Sequence, residues 1–337
     1  MTSTTEYDVI IVGGGPAALA AGLYAARDDY KTILLEKNGL PGGQIMLTER
    51  VENYPGYEYV TGPDLIDHMR RQAEKFGAEI AINHAVTAVS PLQDGSLKVT
   101  VNDGEKTLLA RAVILAPGSD YRRLNVPGED ILRQAGKVSY CATCDGAFYR
   151  GKHVLTVGGG NTAVEDTIYL ASRFASRTTL VHRRNEFRAQ EVLVDELKRL
   201  AAEKNVTFKT PYTLEEIVPN ADKTEIDHVR LCNVETQTTE QLNVDGVFVF
   251  VGMVPNTAFL RGTVEINDAG YIACDCTTLK TSMPGVFVAG DCRQRAAMQL
   301  ATAVGDGVVA AMMLKDYFRD PGSWRKTMSE TGYSHGW

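Results

Sequence analysis

Two cysteines in Cys141-Ala142-Thr143-Cys144-Asp145-Gly146 carry the clearest chemistry in this chain. Thiols at that spacing can close a small disulfide loop and reopen it, so the pair can store two electrons. An acid directly follows the second sulfur, and Asp145 could protonate a departing thiolate as a general acid. Asp-Gly is also a turn dipeptide, so the same residue reads equally as a cap or turn position. Zinc is the rival use for a cysteine pair, but it needs two more ligands. Cys274-Asp275-Cys276 is the only comparable pair and has no histidine near it in sequence, so no metal ligand is expected. Cys232, Cys274, Cys276 and Cys292 fall on strand-like patterns and read as packing residues.

A redox pair needs an electron source, and two glycine-rich turns point to one. Gly13-x-Gly15-x-x-Ala18 follows an apolar run and opens an alanine-rich helical stretch. Backbone N–H groups at such a helix start can meet a pyrophosphate. Glu36 ends the next strand-like run, roughly 20 residues on, where a carboxylate can hold ribose hydroxyls. Gly158-x-Gly160-x-x-Ala163 repeats the pattern, but its second strand ends in His182-Arg183-Arg184, with Arg188 just beyond. An acid would repel a 2′-phosphate, whereas a guanidinium grips it in fork geometry, so this turn reads as a site for NADPH rather than NADH.

These residues need a scaffold of alternating strands and helices, and the hydrophobic pattern predicts one. A strand over 7–12, a helix to about residue 27 and a strand over 32–36 make one β-α-β unit. A helix over 64–76, with Asp64 as its cap, and short strands over 78–115 follow. A second unit comprises a strand over 152–157, a helix over 161–173 and a strand over 178–182. An amphipathic helix over 190–203, more strands to 247–251, a buried strand over 285–289 and a long helix over 298–318 complete the pattern. The predicted class is α/β, with two Rossmann-like three-layer domains. Residues 117–128 and 252–256, rich in Gly and Pro, read as linkers. One domain is then expected from 1–117 and 253–320, with a second, 124–250, inserted in it and a tail over 321–337.

A chain of 337 residues, 44% apolar, suits two domains with real cores. No apolar run approaches the ~18 residues of a spanning helix, so no membrane association is expected. The first residues run into a strand without a basic-then-apolar leader, which predicts a cytoplasmic, reducing setting. The net charge of −7 argues against nucleic acid as a partner.

The glycine turns, Gly42-Gly43-Gln44, Val51-Glu52-Asn53-Tyr54-Pro55-Gly56, the Cys141–Gly146 motif, His182-Arg183-Arg184 and the run 285–291 resemble bacterial low-molecular-weight thioredoxin reductases, in that family's order and spacing. The resemblance runs from about residue 7 to 318. It implies a homodimer that passes electrons from NADPH through FAD to the Cys141–Cys144 disulfide, and then to thioredoxin or a thioredoxin-like protein. It implies that Gly13, Gly15 and Glu36 hold the adenosine and pyrophosphate part of FAD, beside Pro16, Ala17 and Lys37. Gly42, Gly43, Gln44, Thr48 and Asn53 would lie along the flavin side. Asp291 would bond the ribityl chain and Gln299 approach the isoalloxazine, with Ala116, Gly118, Gly290 and Leu300 completing the set. Gly158, Gly160, Asn161, Thr162, His182, Arg183, Arg184 and Arg188 match the NADPH positions, and Cys141, Cys144 and Asp145 the catalytic ones.

The family's usual Arg-Gln pair before the last helix is Met298-Gln299 here, which bears on the donor. The nearest rivals are a ferredoxin–NADP reductase, which would lack the cysteine pair, and a dithiol oxidase, which would lack the basic cluster. A zinc-stabilised nucleotide-binding regulator is the rival from outside catalysis. Nicotinamide and disulfide both need the same place at the flavin, so hinged rotation about the two linkers is expected.

Overall fold

Strand β1 (Thr5–Val12) sends alternate residues into two different cores. Val9 and Ile11 pack on one face, Ile10 and Val12 on the other. A strand covered on both faces is written as a continuous apolar run, which is why it stands out in the sequence. The structure, a computed structural model, describes residues 5–48, 51–203 and 205–325.

From β1 the chain continues through α1 (Pro16–Arg27), β2 (Thr32–Leu35), α2 (Gly62–Lys75) and β3 (Glu79–Ala81). Three antiparallel strands follow, β4 (Val86–Pro91), β5 (Leu97–Val101) and β6 (Lys106–Leu115). These strands lie in the order β3-β2-β1-β6-β5-β4, parallel from β3 to β6. Helix α2 starts before the expected position, and its cap is Thr61 rather than Asp64. The Thr61 hydroxyl accepts from the Asp64 N–H at 3.1 Å. Pro63 sits in the first turn, where a missing N–H breaks no helical bond.

After β7 (Ser119–Tyr121) come α3 (Glu129–Gln134), β8 (Val138–Ser139), α4 (Ala142–Asp145), β9 (His153–Gly158), α5 (Asn161–Arg173), β10 (Arg177–Val181), α6 (Glu191–Glu203) and β11 (Val206–Lys209). An antiparallel trio, β12 (Tyr212–Pro219), β13 (Ile226–Asn233) and β14 (Thr239–Leu242), precedes β15 (Gly246–Phe250). The second large sheet is all parallel, in the order β11-β10-β9-β15-β8. The stretch 252–256, expected as a linker, holds β16 (Met253–Pro255), which pairs with β7 as a two-stranded ribbon. β17 (Val286–Val288) then pairs parallel with β6, and α7 (Leu300–Arg319) closes the order.

The chain divides into two compact units, Met1–Asp120 with Val254–Trp337, and Tyr121–Met253. The fold is α/β, with a nucleotide-type β-α-β arrangement in each unit. Trp324, within the expected tail over 321–337, is buried in the first unit. It meets Phe287 edge-on at 4.9 Å and donates from Nε1 to the Thr281 carbonyl at 3.3 Å. Tyr333, His335 and Trp337 lie outside the described residues. Cys232 and Cys292 are buried, as packing residues should be, but Cys274 is half-buried and Cys276 exposed. The Asp275 carboxylate accepts from the N–H groups of Thr277 and Thr278 at 2.8 and 2.9 Å, turning the chain out of the expected strand.

Candidate active site

In the second unit Cys141 and Cys144 are joined, with an S–S distance of 2.08 Å. The local sequence puts the bond on a helix start. Cys141 is the N-cap of α4, and its sulfur accepts from the Cys144 N–H at 3.2 Å. Cys144 is exposed and Cys141 half-buried. The Asp145 carboxylate accepts from the Ser139 hydroxyl at 2.6 Å, and that hydroxyl in turn accepts from the Cys141 N–H at 3.1 Å. Burial pushes the Asp145 carboxyl above the usual carboxylate range, with the Ser139 bond opposing it. Asp145, next to Cys144 in the chain, therefore holds a proton more readily than a surface aspartate. Ser139 was not singled out by sequence, because a serine before a cysteine motif carries no periodic or spacing signal.

The first glycine turn brings several expected residues together in the first unit. Gly13 has φ +112°, and a Cβ there would lie 2.3 Å from the Ala116 carbonyl oxygen, so the turn can press on Ala116 only as glycine. Pro16 is the first residue of α1 and Ala17 is buried behind it. Glu36 is buried, with Oε1 accepting from the Asn38 backbone and side chain at 2.8 and 2.7 Å, and Lys37 beside it is exposed. Gly42 donates to the Gly14 carbonyl at 2.8 Å, and Gly43 opens a short turn through Gln44 that ends at Thr48. Gln44 donates to the Ser119 carbonyl, and the Ser119 hydroxyl donates to the Asp291 carbonyl. Gly118 accepts from the Asn256 N–H at 3.0 Å. Asn53 reaches Gln299 at 3.4 Å, next to Leu300 at the start of α7.

Asp291 is the anomaly of this cluster. Its Oδ1 is buried with no hydrogen-bond partner among the described residues. Burial, and then the charge of Asp306, push its carboxyl up to about 6. Asp306 fixes the neighbouring turn by accepting from the Gly290 N–H at 3.0 Å and pairing with Arg293 at 2.6 Å. A buried carboxylate oxygen without a donor fits a ligand that brings hydroxyl groups. At the other end, Gly15 caps α1 without a side chain, and a Cβ there would meet nothing within 4 Å. An open helix N-terminus fits a pyrophosphate. The residues present thus fit a dinucleotide.

The second turn is built alike. Gly160 caps α5 with open space around it, followed by exposed Asn161 and Thr162. A Cβ on Gly158 would lie 2.5 Å from the Phe250 carbonyl oxygen. Asn161 accepts from the Gln190 N–H at 2.9 Å, and the Arg188 N–H donates to the Gly159 carbonyl at 2.7 Å, tying the basic segment to the turn. Arg183, Arg184 and Arg188 are exposed. His182 is placed apart from them. It is buried beneath the turn against Gly159 and stacked on Phe187 at 5.5 Å, and burial lowers its pKa. A neutral, buried ring supports the turn, while the three guanidiniums face solvent.

Comparison with known proteins agrees with this architecture. Residues 7–307 match the family described as pyridine nucleotide-disulphide oxidoreductase. The chain belongs to that family. It is 42% identical over 314 residues to the thioredoxin reductase of Listeria monocytogenes, covering 93% of this chain and 94% of the relative. It is 40% identical over 328 residues to the thioredoxin reductase of Bacillus subtilis, covering 97% and 100%. The crystal structure of thioredoxin reductase from Streptococcus pyogenes superposes with a TM-score of 0.84 at 39% identity, over 94% of this chain and 99% of that one. As a member of the pyridine nucleotide-disulphide oxidoreductase family the chain is an oxidoreductase, and its Cys141–Cys144 bond fits the family's redox-active centre. Among the described residues, no helix is long and apolar enough to cross a membrane.

Proposed function

We propose that this chain is a cytoplasmic, homodimeric NADPH-dependent thioredoxin reductase, passing electrons from NADPH through FAD to the Cys141–Cys144 disulfide and on to thioredoxin or a thioredoxin-like protein. The observation that carries the reading is the disulfide itself, seated on a helix start beside a partly buried acid and in the same unit as a glycine turn flanked by exposed arginines. In this reading the first unit holds FAD through Gly15, Glu36, Gln44 and Asp291, and the second holds NADPH through Gly160, Asn161, Arg183, Arg184 and Arg188. When bound, FAD supplies a carrier that accepts hydride from nicotinamide and passes an electron pair to a disulfide.

The chain's own residues do the rest. Asp145 gives a proton to the sulfur that leaves when the disulfide opens, and Ser139 holds its carboxyl in place. One thiolate of the opened pair then attacks the acceptor's disulfide, and the second attacks the mixed disulfide, releasing the acceptor as a dithiol. Arg183 and Arg184 offer guanidiniums to a 2′-phosphate, while the neutral ring of His182 props the turn from below.

The test is anaerobic reduction of the flavin by NADPH and by NADH, followed by thioredoxin-coupled turnover. NADPH should bleach the flavin far faster than NADH. The Cys141→Ser/Cys144→Ser double variant should keep that bleaching and lose thioredoxin reduction. A flavin left oxidised by NADPH would refute the donor, and thioredoxin reduction by the double variant would refute the route.

A further inference from the structure

Outside the proposed active site, the first unit carries a second pair of closely spaced thiols. Cys276 is exposed and Cys274 half-buried, with one residue between them. Each is the other's near neighbour, since Cys274 has Cys276 as a side-chain hydrogen-bonding partner. The backbone that carries them is fixed on both sides. Asp275 donates to the Lys280 carbonyl at 3.0 Å and accepts from the Leu279 N–H at 2.8 Å. The Cys274 carbonyl accepts from Gln294 Nε2 at 2.9 Å. The main chain on either side of the two thiols is therefore fixed before any reaction.

We propose that Cys274 and Cys276 form a second dithiol, separate from Cys141 and Cys144, that closes to a disulfide by exchange with a low-molecular-weight disulfide such as oxidised glutathione. The exposed Cys276 thiolate attacks one glutathione sulfur. A Cys276–glutathione bond forms, the glutathione S–S bond breaks, and one glutathione thiolate leaves and takes up a proton. Cys274 then gives its proton to solvent and attacks the Cys276 sulfur, expelling the second glutathione. The protein loses two thiol hydrogens and one electron pair, and one oxidised glutathione becomes two reduced ones.

The surroundings of Cys274 set the order of these steps. Burial, and then the negative charge of Cys276, push the Cys274 thiol up to about 12, against the pull of Arg293. While Cys276 is ionised, Cys274 keeps its proton. Once Cys276 is capped by glutathione its charge is gone, and the opposing part of that shift goes with it. Cys276 is thus the entry sulfur and Cys274 the resolving one.

The experiment uses the full-length Cys141→Ser/Cys144→Ser protein, so that only the second pair can react in this way. It is incubated with oxidised glutathione, blocked with N-ethylmaleimide and cut with trypsin, which places both sulfurs in the peptide 262–280. The expected product is that peptide, lighter by two hydrogen atoms and unalkylated. Adding Cys274→Ser should instead trap one glutathione on Cys276. Adding Cys276→Ser should slow all modification of the peptide by about tenfold or more, because the remaining thiol is less accessible and weakly ionised. A peptide alkylated at both sulfurs, a lasting glutathione adduct in the parent, or undiminished reaction of the Cys276→Ser protein would each overturn the proposal.

Discussion

Asp145 and Asp291 are two partly buried carboxyls with raised pKa values and opposite uses. Asp145 has its donor already, in Ser139, and what remains to it is a proton for sulfur. Asp145→Asn should therefore lower thioredoxin-coupled kcat by about 100-fold, as loss of a general acid does, while NADPH still bleaches the flavin at the parent rate. Stopped-flow measurement of the two half-reactions checks this. Asp291 lacks a donor for Oδ1, and its carboxyl titrates at about 6 instead of the ordinary 3.8. The fold thus disfavours its ionised form. That cost is absent below the unfolded pKa, grows as pH rises from there and is complete above about 6. Asp291→Asn should accordingly stabilise the flavin-free protein near pH 7 but not near pH 3, as read by urea denaturation. Asp291→Ala, by contrast, should weaken flavin retention, because the acceptor for a ligand hydroxyl is then gone. Neither role is written in the residue type. The sequence marks Asp291 only through its place after a strand and a glycine, and the missing donor is visible only in three dimensions.

Elements were legible wherever a period repeats and illegible wherever a distant partner decides. The inner ends of β1 and β6, Val9–Val12 and Ala112–Leu115, and all of β15 stand out because burial on both faces makes those runs apolar. The α2 cap fell to Thr61 because Pro63 and Asp64 both fit a first turn, so composition alone leaves the start open. The β7–β16 ribbon joins residues far apart in the chain whose Gly and Pro neighbours read as loop. Glu129 was missed for the same reason. Only 2% exposed, it accepts from the N–H groups of Leu124 and Asn125 at 3.1 and 2.6 Å and from the Tyr140 hydroxyl at 2.7 Å. Tyr140 directly precedes Cys141 and stacks on Tyr121 at 5.1 Å. One carboxylate thereby ties the segment entering the second unit to the redox loop. Glu129→Gln replaces an acceptor oxygen with an N–H₂ group facing donors, and should cost about 1–3 kcal/mol in denaturant unfolding. It should also slow disulfide reduction without changing NADPH KM, a split that steady-state kinetics would show.

For the whole molecule the two units bind different ligands in the proposed reading, and linkage gives that division a measurable form. NADP⁺ at about 100 times its Kd should stabilise whatever unfolds with the second unit by ~2.7 kcal/mol, while added FAD should act on the first. Calorimetry should show two transitions moved separately. A single transition shifted equally by either ligand would mean that the units unfold as one. The division into two units has a further consequence, in time rather than in space. The second unit is one continuous stretch, Tyr121–Met253, whereas the first needs residues from both sides of it. During synthesis the all-parallel sheet of the second unit, with the Cys141–Cys144 loop, is fully available when Met253 leaves the ribosome. The first sheet must still wait for β17 to join β6 and for α7 to cover it. A nascent chain stalled shortly after residue 253 should already protect the second unit from protease and leave the first open. The thiols of the catalytic pair are thus folded into place before the sheet that is to serve the flavin is complete.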